Sequence, residues 1–204
     1  MTASQSQLRA DAQENRARVL AVARELFAER GLDVPMAAIA RRAGVGVATL
    51  YRRFPTKESL VVEAFTEQFA HCRAVIEEAL LDEDPWRGFC TVIQNVCLMQ
   101  ATDRGFTAAF VSTFPELHSE VRDRTWEGFA ALVERAKESG QLRADFSPHD
   151  LTLVLLANSG LAGVPVEVAV SASQRLVAYL LEAFRAGTDA LPPPVPLSLD
   201  LVLR

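Results

Sequence analysis

Arg52 and Arg53 follow the turn Gly44-Val45-Gly46 by less than two helical turns, with the small residues Ala48 and Thr49, the phenol of Tyr51 and Lys57 close by. These types suit anion recognition better than bond-making chemistry. Guanidinium forks match phosphates and guanine edges, and small side chains let a helix backbone come close to base edges. A tyrosine hydroxyl and a lysine at a helix start, where free N–H groups point outward, are suited to phosphates.

No other constellation in the chain offers comparable chemistry. There is no glycine-rich phosphate loop, no metal-ligand spacing, and no Ser/His or Cys/His arrangement that chain proximity supports. His71, His118 and His149 are scattered. Cys72, Cys90 and Cys97 are too few for a disulfide framework. On one helix Cys90 and Cys97 would lie about 10 Å apart, beyond disulfide reach. They read as small buried hydrophobes. We therefore expect no catalytic residue, no cofactor and no metal.

The elements that must position the arginines are helical. The chain has 204 residues, half of them hydrophobic, which is material for one or two globular domains. No apolar run approaches the ~18 residues of a membrane span, and the polar N-terminus lacks the apolar core of a secretory signal. A cytoplasmic protein without a membrane partner is the expectation. The net charge of −5 conceals a split: residues 1–60 carry +4 and residues 61–204 carry −9. A basic head on an acidic body suggests that the head meets a polyanion.

From Glu14 to Arg30, Val19, Leu20, Ala23, Leu26 and Phe27 recur at helical spacing, and Gly31 stands where a left-handed stop belongs. Pro35 opens a short helix ending at Gly44, and a third helix runs from Val47 until Pro55 breaks it. Thr56 caps a long fourth helix carrying the line Leu60, Ala64, Phe65, Phe69 and Ile76. The run LLDEDPW around Pro85 reads as a turn and a domain boundary. Further helices are expected near 85–101, 103–113, 115–139, 148–162 and 170–187, with Ser147 capping the fourth of these. The tail LPPPVPLSLDLVLR leaves the helical pattern.

On a helical wheel Val47, Leu50, Tyr51 and Phe54 share one sector, which must face other helices, while Ala48, Thr49, Arg52 and Arg53 lie opposite. Two helical turns are not stable alone. The neighbouring helix must hold them across the short Gly-Val-Gly connection, as a helix-turn-helix. Such a second helix fits the ~12 Å major groove of B-DNA. A solvated basic face on an ordinary helical corner is the alternative that charge and spacing leave open.

The stretch IARRAGVGVATLYRRFPTKESL, Ile39 to Leu60, resembles the DNA-binding signature of TetR/AcrR-family bacterial transcriptional regulators. The matching residues are Ile39-Ala40, Ala43-Gly44-Val45, Thr49-Leu50-Tyr51, Phe54, Lys57-Glu58 and Leu60, and ARELFAERG, Ala23 to Gly31, is similar to the family's first helix. Two departures stand out. Gly46 replaces the serine that usually opens the recognition helix, and Val34-Pro35 stands where a threonine often starts the second. The resemblance implies that Thr49, Tyr51 and Lys57 hold phosphates. It implies that Val47, Ala48, Arg52 and Arg53 face base edges or flanking backbone, and that Ile39, Ala43, Leu50 and Phe54 are core.

Past residue 65 the resemblance thins. DPWRGF and ADFSPHDLTLVLLANSGLAG look like the effector-binding half of such regulators. Candidate ligand contacts are Gln94, Met99, Phe110, Phe114, Trp126, Phe129 and Asn158, a set of aromatics and amides within apolar runs; a buried amide needs a partner from the protein or from a ligand. The last two helices are apolar over more than one face. Leu153, Leu156, Ala157, Gly160, Leu176, Tyr179, Leu180 and Phe184 are the candidate dimer surface, a two-fold four-helix interface as in the family it resembles.

The expected architecture is all-α: an arm (1–13), a helix-turn-helix head (14–60), an effector-binding and dimerisation domain (61–188) and an extended or disordered tail (189–204). The expected function is a homodimeric regulator, a repressor, released from an inverted-repeat double-stranded operator by a small, largely apolar effector. A ligand sensor whose head meets protein instead of DNA is the competing expectation.

Overall fold

The computed structural model describes residues 3–103, 105, 119–187, 189–195 and 197. Their regular structure is helical, apart from an isolated antiparallel bridge between Leu142 and Arg185. Helix α1 spans Ala3–Arg30, so helical backbone continues through the segment expected to be an arm. Its stripe Val19, Ala23, Leu26 and Phe27 is buried, and the chain turns at Gly31 with φ 73°. α2 (Met36–Ala43) ends at Gly44, whose φ of 69° lets its N–H reach the carbonyls of Ala40 and Arg41. α3 (Val47–Arg53) follows at once, and α4 (Lys57–Ala64) starts from Thr56.

The long fourth helix of the sequence reading is broken. α4 stops at Phe65 (φ −114°, ψ 17°), and α5 (Thr66–Leu81) begins beyond it. Thr66 Oγ1 donates to the Val62 carbonyl at 2.9 Å, a back-bond that competes with the helical ladder and bends the chain. The bend puts the expected apolar line into two cores. Leu60, Ala64, Phe65 and Cys72 join the head, where the Phe27 and Phe65 rings lie 6.3 Å apart, whereas Val75, Ile76 and Ala79 join the body.

Pro85 marks a turn, as expected. α5 and α6 (Pro85–Thr102) form a hairpin whose two sides share one core, and the passage from head core to body core falls along α5 between Cys72 and Val75. The hairpin is short because it is well capped. Asp84 accepts from the N–H groups of Trp86 (3.0 Å) and Arg87 (3.2 Å), with Pro85 in the first turn. Gly88 lets the two helices touch, since a Cβ there would lie 2.7 Å from the Ala79 carbonyl oxygen. Gly88→Ala is accordingly expected to lower the melting temperature, at a cost of about 1–3 kcal/mol from overpacking. An unchanged thermal transition would mean that α5 and α6 separate freely.

α7 (Ser119–Glu138), α8 (Asp150–Ser159), a 3-10 turn (Gly160–Gly163) and α9 (Val166–Phe184) complete the body. Phe89 is its hub, with the rings of Trp86, Phe146, Phe129 and Phe184 at 5.6, 5.2, 6.4 and 6.4 Å. Arg135 of α7 donates to the carbonyls of Leu80 and Asp82, closing the C-terminal end of α5. Ser147 does not cap the helix as expected: α8 starts at Asp150 after His149, with no side-chain cap, and the Ser147 hydroxyl accepts from the His149 N–H at 3.3 Å in the turn before it. Past α9 the described chain is not helical, as expected, and it is strapped down. Arg143 donates to Asp189 O at 2.8 Å, and Leu191 N–H donates to Asp145 at 2.9 Å. The Arg143 guanidinium and that N–H hold the Asp145 carboxyl well below the usual carboxylate range.

Head and body meet at the end of α6. Met99 reaches the head cluster, with its sulfur 3.7 Å from that of Cys72. Gly105 lies flat on α1, where a Cβ would come 2.9 Å from the Ala28 nitrogen. Among the described residues no helix is long and apolar enough to cross a membrane.

Candidate nucleic-acid interface

α3 is a helix of seven residues, too short to persist unaided, and two side chains bind it to the head. Leu50 and Phe54, four residues apart, are fully buried, and Phe54 N–H closes the last turn on Leu50 O at 2.8 Å. The wheel sector expected to be buried is therefore too wide. Val47 is 42% exposed and Tyr51 48% exposed. A helix this short meets its neighbours along one line, and no described residue covers the flanks of that line enough to bury Val47 or Tyr51. Both residues consequently join Ala48, Thr49, Arg52 and Arg53 as exposed positions, so that within α3 only Leu50 is buried.

The cations of the head divide into two kinds. Arg42 is tied to Glu29 (3.0 Å) and Glu25 (3.3 Å) on α1, Arg16 to Glu63 on α4 (2.5 Å), and Arg18 Nε donates to Ala43 O at 3.0 Å. Hydrogen bonding to these carboxylates raises the Arg16 and Arg42 pKa values further. Such exposed pairs add little stability singly, but together they lock α1 against α2 and α4. Lys57 shares this work: it is half-buried, and its Nζ donates to the Leu32 carbonyl at 2.8 Å. Arg52 and Arg53 have no ion pair among the described residues. The braces span 13 to 47 positions of sequence, and no periodicity reveals them.

The start of α3 carries no side-chain cap, because Gly46 has none to give. α4 is the opposite case. Thr56 Oγ1 accepts from Ser59 N–H (3.1 Å), and Ser59 Oγ accepts from Thr56 N–H (3.3 Å). Thr56→Ala should cost about 1 kcal/mol, seen as a lower urea midpoint, and Thr56→Ser should restore most of it.

The candidate ligand contacts do not converge. Gln94 lies on the wall of a cavity of about 440 Å³ between α6 and α9, with Asn95, Leu98, Ser173, Gln174 and Val177. Met99 faces the head, Phe129 is core, Trp126 is half-buried between Phe129 (6.2 Å) and His149 (5.5 Å), and Asn158 is buried. Phe110 and Phe114 lie outside the described residues. Of the candidate dimer residues, Leu153, Ala157, Gly160 and Tyr179 are exposed, whereas Leu156, Leu176, Leu180 and Phe184 are half-buried. Phe184 is engaged inside its own chain, 5.0 Å from the Phe146 ring. Exposed Val166 and Val168 extend this apolar surface and escaped the sequence reading. Burial pushes the thiols of Cys72 and Cys97 up to about 12 and that of Cys90 up to about 11, so all three are protonated at neutral pH.

Residues 19–64, which form this head, match the family model for bacterial regulatory proteins of the tetR family. The likeness extends into the body. The chain is 40% identical over 153 residues to the transcriptional repressor KstR of Mycolicibacterium smegmatis, covering 70% of this chain and 72% of that one. It is 32% identical over 145 residues to a helix-turn-helix transcriptional regulator of Mycobacterium bovis, covering 68% and 75%. The crystal structure of a TetR transcriptional regulator from Streptomyces coelicolor superposes with a TM-score of 0.52 at 27% identity, over 85% of this chain and 99% of that one. The ketosteroid transcriptional regulator KstR2 of Mycobacterium tuberculosis shares the fold, with a TM-score of 0.64 at 19% identity over 84% and 95%. A head that meets protein instead of DNA is not favoured by relatives of this kind. With the signature helices, the body and the relatives in agreement, this chain belongs to the tetR family of bacterial regulatory proteins, as a DNA-binding transcriptional regulator and not an enzyme.

Proposed function

We propose that the protein is a homodimeric repressor, released from an inverted-repeat operator by a small, largely apolar effector held in the body. One observation carries the reading of the head: Arg52 and Arg53 stand exposed and free of ion pairs among the described residues, on a helix locked by Leu50 and Phe54. Thr49 and Tyr51 flank them and supply phosphate contacts, while Val47 and Ala48 approach base edges. Lys57 meets the backbone near the start of α4 as well as bracing Leu32.

A second copy is supported by the apolar exposure of Leu153, Val166, Val168 and Tyr179 on α8 and α9. The small Ala157 and Gly160 allow close helix approach there. Two heads then enter successive major grooves about 34–36 Å apart, on one side of the duplex. An effector acts only through the difference in its affinity for the DNA-competent and released states. Selection of bound duplexes from a random pool tests the reading, followed by a screen for compounds that release them. An inverted repeat with steeply salt-dependent affinity is the expected result. Binding without sequence preference or salt dependence would overturn it.

A further inference from the structure

The body contains a buried polar network with one acceptor left over. Gln100 of α6, Asn158 of α8 and Ser173 of α9 are all buried, Asn158 to 2% exposure. Gln100 Nε2 donates to the Leu155 carbonyl at 3.1 Å, which fixes the direction of its amide and turns Oε1 toward Asn158. Asn158 Nδ2 donates to that Oε1 at 2.8 Å and to the Cys97 carbonyl at 3.1 Å. Flipping the Asn158 amide would set its oxygen against two acceptors, so the orientation is determined by the network. Both N–H bonds of Asn158 are thereby used, and its Oδ1 is buried with no hydrogen-bond partner among the described residues.

Two further features join this acceptor to the rest of the molecule. Ser173 Oγ donates to the same Cys97 carbonyl at 3.3 Å, and Ser173 is also part of the wall of the 440 Å³ cavity between α6 and α9. Asn158 is therefore joined, through the Cys97 carbonyl that it shares with Ser173, to the wall of a space of the size that small ligands occupy. Met99 and Gln100 are successive residues of α6: the first reaches the head core, and the second belongs to the network.

We propose that Asn158 Oδ1 is the polar anchor of the effector site, and that the effector is a mainly apolar small molecule carrying a hydrogen-bond donor, a hydroxyl or an amine or amide N–H. This rests on the reading of the protein as an effector-released repressor. Cys97 and Leu155, whose carbonyls accept from the network, and Val154, one turn before Asn158 on α8, are apolar and buried, so a ligand with acceptors only would leave Oδ1 unpaired. A site built around a hydrogen bond rejects the analogue that lacks it, whereas an apolar pocket barely distinguishes the two.

The test uses matched probes on the full chain: phenol against anisole, and cyclohexanol against cyclohexanone, with binding read from the shift in melting temperature. Phenol and cyclohexanol should bind about tenfold or more tightly than their partners. In Gln100→Leu/Asn158→Leu, which removes the network as a unit, the preference should fall to within about twofold. Equal affinities in the wild type, no binding of either donor probe, or a preference that survives the double substitution overturns the proposal. If the double variant fails to fold, a crystal of the wild type soaked with phenol decides. The phenol oxygen at hydrogen-bond distance from Oδ1 supports the site; an ordered water there, undisturbed by the probe, refutes it. Selection of an operator is carried out separately on the wild type. Failure to find one sinks the repressor reading, while an operator found without donor preference sinks this inference alone.

Discussion

Arg52→Ala/Arg53→Ala should weaken operator binding by at least about a hundredfold, with no loss of folded structure. Both side chains are exposed and unpaired among the described residues, so the substitutions should change stability by no more than about 0.5 kcal/mol. The loss in binding is large because a dimer presents each arginine twice. If all four guanidinium groups neutralise phosphates, the slope of log affinity against log salt should flatten by about 3–4. If one of the pair reads a guanine edge instead, the slope should flatten by about half of that, and discrimination at one operator position should relax. Titration of a fluorescent operator at several salt concentrations separates the two cases. Unchanged affinity and slope would remove α3 from the interface.

Phe54→Ala should act through the opposite face of the same helix and abolish DNA binding by unfolding the head. A fully buried phenylalanine replaced by alanine costs about 3–5 kcal/mol, against a typical whole-domain stability of about 5–15 kcal/mol. The cost falls on the head core, and on a seven-residue helix whose other buried anchor among the described residues is Leu50. The body core of Phe89, Phe129 and their neighbours does not include Phe54, and it should still melt cooperatively. A first, low-temperature loss of a minority of the helical signal is thus expected, together with loss of operator binding. Val47→Ala, at an exposed position of the same helix, is the matched control and should leave the melting curve nearly unchanged. A single wild-type-like transition in Phe54→Ala would show that head and body unfold as one and that α3 is held by more than its two buried side chains.

The helix stops were legible because they depend on local chemistry. Gly31 and Gly44 both adopt φ near 70°, and Thr56 caps as a threonine in that position should. Leu50 and Phe54 were legible for the same reason, being four residues apart on one helix. The position of Val47 and Tyr51 was not. A wheel gives the direction of a side chain but not the number of neighbours waiting there, and α3 lacks a neighbour on its flanks. The break at Phe65 depends on one hydroxyl, Thr66 to Val62, which no apolar pattern records. The braces Arg18 to Ala43 and Lys57 to Leu32 each join residues 25 apart, a separation at which sequence does not show that a cation also serves the protein's own backbone. In the body, composition suggested which amides were unusual, but only the hydrogen bonds reveal that Asn95 is satisfied within its own helix by Thr91 while Asn158 retains an open acceptor.

The bare contact of Gly105 on α1 has a mechanical consequence. Where two backbones touch with no side chain between them, there is no compliant layer to absorb a displacement. A displacement of Gly105 would therefore be passed to α1, and Arg16, Arg18 and Arg42 tie α1 to α4 and α2. In the proposed dimer, a tilt of that unit too slight to disturb any core would change the distance between two paired heads, the one quantity a rigid double helix cannot adjust to.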